Sequence, residues 1–301
     1  MSATFAGRPG SGSPMKRLAV LSLVALAALA TAAPAHATFP GEDGRIAAAA
    51  KGDVFRAIIT LPAMGSGRGR DVRFLRDCQL TESGQPDSGD CSIQYRSPSW
   101  APGGRRLAFD SGAAVALVNS DRSGYRLFNA VTSDDGEPAY APGASALAFT
   151  GRVGSRRDLY VRRTAGGTAR SIVRRAASPD WSSANRIAFV RSGTIYSVTP
   201  RGGQLRTIAR GSAPSWSPSG RSIAFARGGG IYVARADGTG LRRVVRCSGC
   251  RTPAFSPTGR MLVYKKNGLV VARARDGKRL RTIIEDVRGG FDASEPSWQP
   301  R

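Results

Sequence analysis

Short apolar runs of about four to six residues, separated by turn residues, succeed one another along most of the chain. Ile223-Ala224-Phe225-Ala226 is followed by Gly228-Gly229-Gly230, then by Ile231-Tyr232-Val233-Ala234, the turn Asp237-Gly238-Thr239-Gly240 and a fourth run from Leu241 to Val245. Runs of this length, bounded by Gly, Pro, Ser and Asp, predict β-strands joined as antiparallel hairpins. After residue 37 no long helical periodicity of apolar positions appears, so the pattern predicts an all-β chain.

The runs belong to a repeat. Pro214 to Phe225 reads PSWSPSGRSIAF, and versions of it recur at Pro98 to Phe109, Pro138 to Phe149, Pro179 to Phe189 and Pro253 to Tyr264, with a truncated copy, PSWQP, at Pro296 to Pro300. Their aromatic residues, Trp100, Tyr140, Trp181, Trp216, Phe255 and Trp298, lie 40, 41, 35, 39 and 43 residues apart. Four short strands per period of about forty is the signature of a propeller blade. The last copy stops after its first strand, while residues from about Arg45 to Leu75 supply the other three strands of a unit. Joined, the two ends complete a sixth blade, with Trp298 expected in the same sheet as Ile46. The prediction is a six-bladed β-propeller of four-stranded antiparallel blades, closed by pairing the C-terminal strand with N-terminal strands. One aromatic at the same place in every blade is what inter-blade packing requires.

These segments resemble the TolB-like, WD-type propeller repeats of secreted bacterial proteins, in which P-x-W-S-P-D-G-(K/R)-x-I-A-F is followed by I-Y-V and a D-G-(S/T)-G turn. The resemblance covers the propeller alone and implies its fold, without implying a reaction. The Asp of the S-P-D-G turn is absent from every full copy, its place being taken by Gly103, Ser219 and Thr258 in three of them. The propeller is expected to begin soon after the leader, without the additional N-terminal domain of TolB.

Residues 15–37, MKRLAVLSLVALAALATAAPAHA, have a basic start, an apolar run from Leu18 to Ala30 and a small-x-small site at Ala35-His36-Ala37. They read as a cleaved signal peptide, since the run is too short for a membrane span. Residues 1–14 read as a non-native or disordered extension and 38–301 as the propeller. The expected location is extracytoplasmic: secreted, periplasmic or in the cell envelope, with no transmembrane segment after cleavage. The formal charge is +24, falling to about +21 without residues 1–37, and arginine dominates it. Cleavage also removes His36, the single histidine. A chain without histidine has no Ser-His-Asp or Cys-His arrangement and none of the usual His-containing zinc sites.

Chemistry-bearing candidates are few. Cys78 and Cys91 bracket a polar segment and are expected to form a disulfide, as are Cys247 and Cys250 of a C-x-x-C pair; a redox-active dithiol and half of a zinc site are alternatives for the second pair. Asp134-Asp135-Gly136-Glu137 reads as the turn entering the third blade. The glycine runs read as hairpin turns, since no helix follows to make a phosphate site. Arg162, Arg163, Arg242, Arg243, Arg279 and Arg281 fall on outer strands and are candidate anion-binding residues. No catalytic residues, cofactor or metal ligands are assigned. The chain therefore reads as a monomeric, non-catalytic scaffold for an envelope or extracellular protein. Alternatives are binding of carbohydrate or anionic polymer through the arginine-rich rim, and a hydrolase or lyase sited in the channel. Nucleic acid is not an expected partner of an exported chain.

Overall fold

Each blade begins with a strand that carries the repeat aromatic and continues outward through three more. In the computed structural model, which describes residues 39–301 apart from 53–54, 63–72, 80–94, 113, 129–130, 133 and 286–290, six four-stranded antiparallel sheets follow one another around a ring. Blade 2 comprises β4 (Arg96–Trp100), β5 (Arg106–Asp110), β6 (Val115–Asn119) and β7 (Arg126–Phe128). Blade 3 has β8 (Asp135–Tyr140), β9 (Ala146–Val153), β10 (Arg156–Arg163) and β11 (Arg170–Val173). Blade 4 has β12 (Ala177–Trp181), β13 (Ile187–Arg191), β14 (Thr194–Val198) and β15 (Arg206–Arg210). Blade 5 has β16 (Ser212–Trp216), β17 (Ser222–Arg227), β18 (Gly230–Arg235) and β19 (Arg242–Arg246). Blade 6 has β20 (Arg251–Phe255), β21 (Met261–Lys265), β22 (Gly268–Arg273) and β23 (Arg279–Glu285).

Blade 1 joins the two ends of the propeller: β24 (Phe291–Pro300) pairs with β1 (Asp43–Gly52), which continues through β2 (Phe55–Pro62) to β3 (Arg73–Gln79). Trp298 lies opposite Ile46, and Ser297 opposite Ala47. Reciprocal backbone hydrogen bonds between Glu42 and Arg301, at 3.0 and 3.1 Å, extend the closure beyond the strand. Pairing the last strand with the first removes two open sheet edges. The predicted fold and its mode of closure are both present. The predicted leader and N-terminal extension lie outside the described residues.

The second strand of each blade is a continuous apolar triplet because both faces of every sheet are covered by a neighbour. In blades 2 to 5 these triplets are Leu107-Ala108-Phe109, Leu147-Ala148-Phe149, Ile187-Ala188-Phe189 and Ile223-Ala224-Phe225, all fully buried. Alternation along the strand assigns the members to different seams. Leu107 and Phe109 join Trp100 in packing on Ala47 and Ile58 of blade 1. Ala108 faces the other way, where Tyr140, Leu147 and Phe149 of blade 3 cover it. The same large-on-small arrangement recurs at later seams: Trp181, Ile187 and Phe189 with Ala139 and Ala148, and Trp216, Ile223 and Phe225 with Ala188.

The closing seam exchanges sizes at one position. Blade 6 carries Val263 where blades 2 to 5 have alanine, and blade 1 has Ala48 where they have phenylalanine, beside Trp298, Ile46, Ile59 and Leu61. Exchange of bulk across the seam preserves packing density, which constrains interiors more tightly than residue identity does. Trp298 is buried in this cluster. Trp298→Ala should lower the unfolding free energy by about 3–5 kcal/mol. Leu205→Ala, at a half-exposed position, should change it by less than about 0.5 kcal/mol. Urea denaturation followed by far-UV circular dichroism checks both; equal effects would refute a closing role for Trp298.

Candidate functional site

The innermost strands converge on the ring axis, where a cavity of about 170 Å³ is lined by a residue-Pro-residue triplet from each of the six blades. The residue before each proline has a left-handed backbone: Ser97, Glu137, Ser178, Ala213, Thr252 and Glu295 have φ between +47° and +51°. At the same place the pairing to the second strand slips, as between Arg96 and Ser99 or between Ala177 and Asp180. These are β-bulges, and the following Pro has no N–H to leave unpaired on an edge strand. Six repetitions mark the conformation as architectural, and it brings all six side chains to the cavity wall.

Three carboxylates line this cavity, and each accepts a hydrogen bond from the next blade. The Ser97 backbone N–H donates to Glu295 Oε2 at 2.7 Å. The Ser178 N–H donates to Glu137 Oε2 at 3.1 Å, and the Thr150 hydroxyl donates to the same oxygen at 2.9 Å. The Trp216 N–H donates to Asp180 Oδ2 at 2.6 Å, while its indole N–H reaches the Asp180 carbonyl at 3.1 Å. Serine hydroxyls serve the same purpose where no acid stands: Ser99 accepts from the Tyr140 N–H at 3.3 Å and Ser215 from the Phe255 N–H at 3.2 Å. At the closing seam Asp43 accepts from the Thr258 N–H and hydroxyl, both at 3.1 Å.

Desolvation decides the electrostatics. Asp180 is pushed up to about 7 by burial, against the lowering effect of the Trp216 and Trp181 N–H groups. Asp110, at the end of β5, is pushed up to about 6 by burial, opposed by the Gly112 N–H and by the Arg157 and Arg96 charges. Its carboxylate packs so closely on Gly136 that a side chain there would collide with it. Asp134 goes the other way: the Arg152 and Arg157 guanidiniums hold it below the ordinary range despite desolvation.

The candidates named from sequence occupy other places. The repeat aromatics lie in the seams, and Tyr160, Tyr196 and Tyr232 stack on Phe149, Phe189 and Phe225 at 5.8, 5.6 and 6.1 Å within their blades. Cys247 and Cys250 are joined by a disulfide between blades 5 and 6, and a strand rather than a helix begins at Arg251. Cys78 lies on β3 opposite Arg56, and Cys91 is outside the described residues. The rim arginines are not gathered at one point. Arg162 donates to the Gly167 carbonyl and covers the Phe128 ring, Arg242 donates to the Arg275 carbonyl of the next blade, and Arg279 bonds Thr282. Arg163 and Arg243 extend from β10 and β19, both exposed. Arg281 lies half-buried on β23.

Glu137, Asp180 and Glu295 are the acidic residues of the channel wall, and sequence reasoning passed over two of them and took the third for a turn. Asp135–Tyr140 is already strand; the turn itself is held by Asp135, which accepts from the Val131 and Thr132 N–H groups. Their common signal was positional: all three adjoin the repeat proline.

Comparison with known proteins fits this geometry. Residues 88–301 match the family model described as the TolB beta propeller domain. The chain belongs to the TolB β-propeller family. Among solved structures it is similar to TolB from Acinetobacter baumannii, at 16% identity and a TM-score of 0.67, covering 86% of this chain and 67% of that one. A candidate TolB from Agrobacterium tumefaciens aligns at 17% identity and a TM-score of 0.60, covering 87% and 100%. A chain from a nidogen/laminin complex shares the fold at 10% identity and a TM-score of 0.64, covering 85% and 98%. No curated protein matches the sequence. Among the described residues no helix is long and apolar enough to cross a membrane.

The raised Asp180 makes the ring's stability pH-dependent. Between about pH 4 and 7 the folded chain keeps a proton that the unfolded chain has released, so stability falls as pH rises through that window. Asp180→Asn retains an oxygen for the Trp216 N–H and removes the titration. From pH 5 to pH 8 the variant should gain roughly 2–3 kcal/mol on the wild type. Urea titrations at the two pH values check this, and parallel pH profiles would refute it.

Proposed function

We propose that this propeller is a non-catalytic, extracytoplasmic binding scaffold that presents the loops around its channel to a protein of the cell envelope. The observation that carries the reading is the commitment of the channel carboxylates. Glu137, Asp180 and Glu295 each hold a backbone N–H of the neighbouring blade, and a carboxylate used this way serves poorly as a nucleophile or proton shuttle. Hydrolysis of a glycoside needs two carboxyl groups free to face each other across a substrate. A closed ring that presents its connecting loops at the surface is suited instead to recognition. Extracytoplasmic placement rests on the leader-like residues 15–37.

A second reading, binding of an anionic envelope polymer, is favoured by the exposed Arg163 of blade 3 and Arg243 of blade 5. Salt separates the two. Immobilised propeller incubated with solubilised envelope should retain one protein in stoichiometric amount at both 0.1 M and about 0.5 M salt, where screening shortens the Debye length to a few ångströms. Material that elutes completely at the higher salt and contains polymer but no protein would overturn the scaffold reading in favour of the second.

A further inference from the structure

A pocket of about 530 Å³ opens at the seam between blades 3 and 4, away from the channel cavity and from the rim arginines. Three segments build it: the β9–β10 hairpin with Arg156 and Arg157, the β11–β12 connection with Arg175, and the end of β13 with Arg191. Four of its nine lining residues are arginines, none is acidic, and Ser155 and Ser192 add two hydroxyls.

The side chains of Arg156, Arg157 and Arg191 are held in place, and Arg175 is anchored through its backbone. Buried Asp158 accepts from Arg156 Nε at 3.0 and 3.1 Å and from the Arg175 backbone N–H at 3.0 Å, which ties two walls together from behind. The Ala176 N–H donates to the Arg157 carbonyl at 3.0 Å and joins the same two segments again. Arg191 is laid over the Tyr196 ring at 4.8 Å and the Phe189 ring at 5.8 Å, an arrangement that positions its planar group and leaves its N–H donors available. Asp158 offsets Arg156 at 3.0 Å, and Asp134 is shared between Arg157 at 2.6 Å and Arg152 at 2.5 Å. The Arg175 and Arg191 guanidiniums have no carboxylate partner among the described residues, which leaves a local excess of at least two positive charges.

We infer that this seam pocket binds a phosphomonoester through Arg175, Arg191 and the terminal nitrogens of Arg156. A carboxylate is satisfied by one guanidinium fork, whereas a tetrahedral dianion presents oxygens to several donors and matches an excess of two charges. Near neutral pH a phosphomonoester is largely dianionic. The pocket is also larger than a bare anion requires and falls in the range of small-molecule sites. Ser155 and Ser192 are placed to receive the hydroxyls of a polyol attached to the phosphate. The site is independent of the protein-scaffold reading, because none of its residues lines the channel.

Isothermal titration of the full chain at pH 7.5 with glycerol 3-phosphate, inorganic phosphate and glycerol tests it. Glycerol 3-phosphate should bind with 1:1 stoichiometry, and glycerol should not bind. Tighter binding of the ester than of inorganic phosphate supports use of the whole pocket, and equal binding supports the oxyanion subsite alone. Arg175→Gln, at an exposed side chain with no folding contact, and Arg191→Gln should each weaken the ester at least about 10-fold, the loss expected for a charge-assisted contact. Arg122→Gln, exposed on a turn of blade 2, should leave affinity unchanged. Arg191→Gln removes a ring contact, so the Arg175→Gln result decides if that variant misfolds. Absence of binding by both phosphates, or equal affinity in Arg175→Gln and Arg122→Gln, overturns the proposal.

Discussion

Packing of a large inner-strand residue on a small residue of the preceding blade is the contact on which the ring depends. A four-stranded blade has two apolar faces and cannot cover either alone. Each seam covers one face of two blades at once, so every blade is stable only between neighbours. This explains why alanine, a modest contributor to burial elsewhere, recurs in the middle of the second strand. Ala108, Ala148 and Ala188 are the floors on which Tyr140, Trp181 and Trp216 rest. A larger residue there would push the next blade away unless its partner shrank, and the Val263–Ala48 exchange at the closing seam is that compensation.

Polar staples sit inside this apolar frame. Bulging of the six inner strands leaves backbone N–H groups facing the neighbouring blade, and a Ser, Asp or Glu side chain receives each of those described above. Buried donors left without partners would cost more than an average hydrogen bond contributes. The staples therefore determine why acids occur on the axis of an otherwise strongly basic protein, and they remove those acids from the pool of reactive groups. Positive charge has been left to the outside, where Arg126, Arg170 and Arg242 bond carbonyls of the next blade. At the seam between blades 3 and 4, four arginines line one pocket and two of them are paired with carboxylates.

Repetition made the architecture legible. Copies of PSWSPSGRSIAF fixed the number of blades, the truncated PSWQP fixed how the ring closes, and Trp298 opposite Ile46 followed from the two together. A repeat reports on fold because every copy meets the same packing problem. Function is carried by departures from the repeat, and a departure is informative only when its neighbours are known. Glu295 and Glu137 occupy one repeat position that elsewhere holds Ser, Ala or Thr, and Asp180 occupies another; no local pattern announced that all three face one cavity.

Sequence by itself determined the strand order and the blade count, because these depend on local spacing and residue type. Tertiary structure decided which groups meet. Arg156, Arg175 and Arg191 are spread over 36 residues and three segments, and share a pocket only because adjacent blades lie side by side. The same closeness consumes the hydrogen-bonding capacity of Asp180 and raises its proton affinity through desolvation. Neither effect has a trace in periodicity, since both arise from distances across seams that the one-dimensional pattern does not contain.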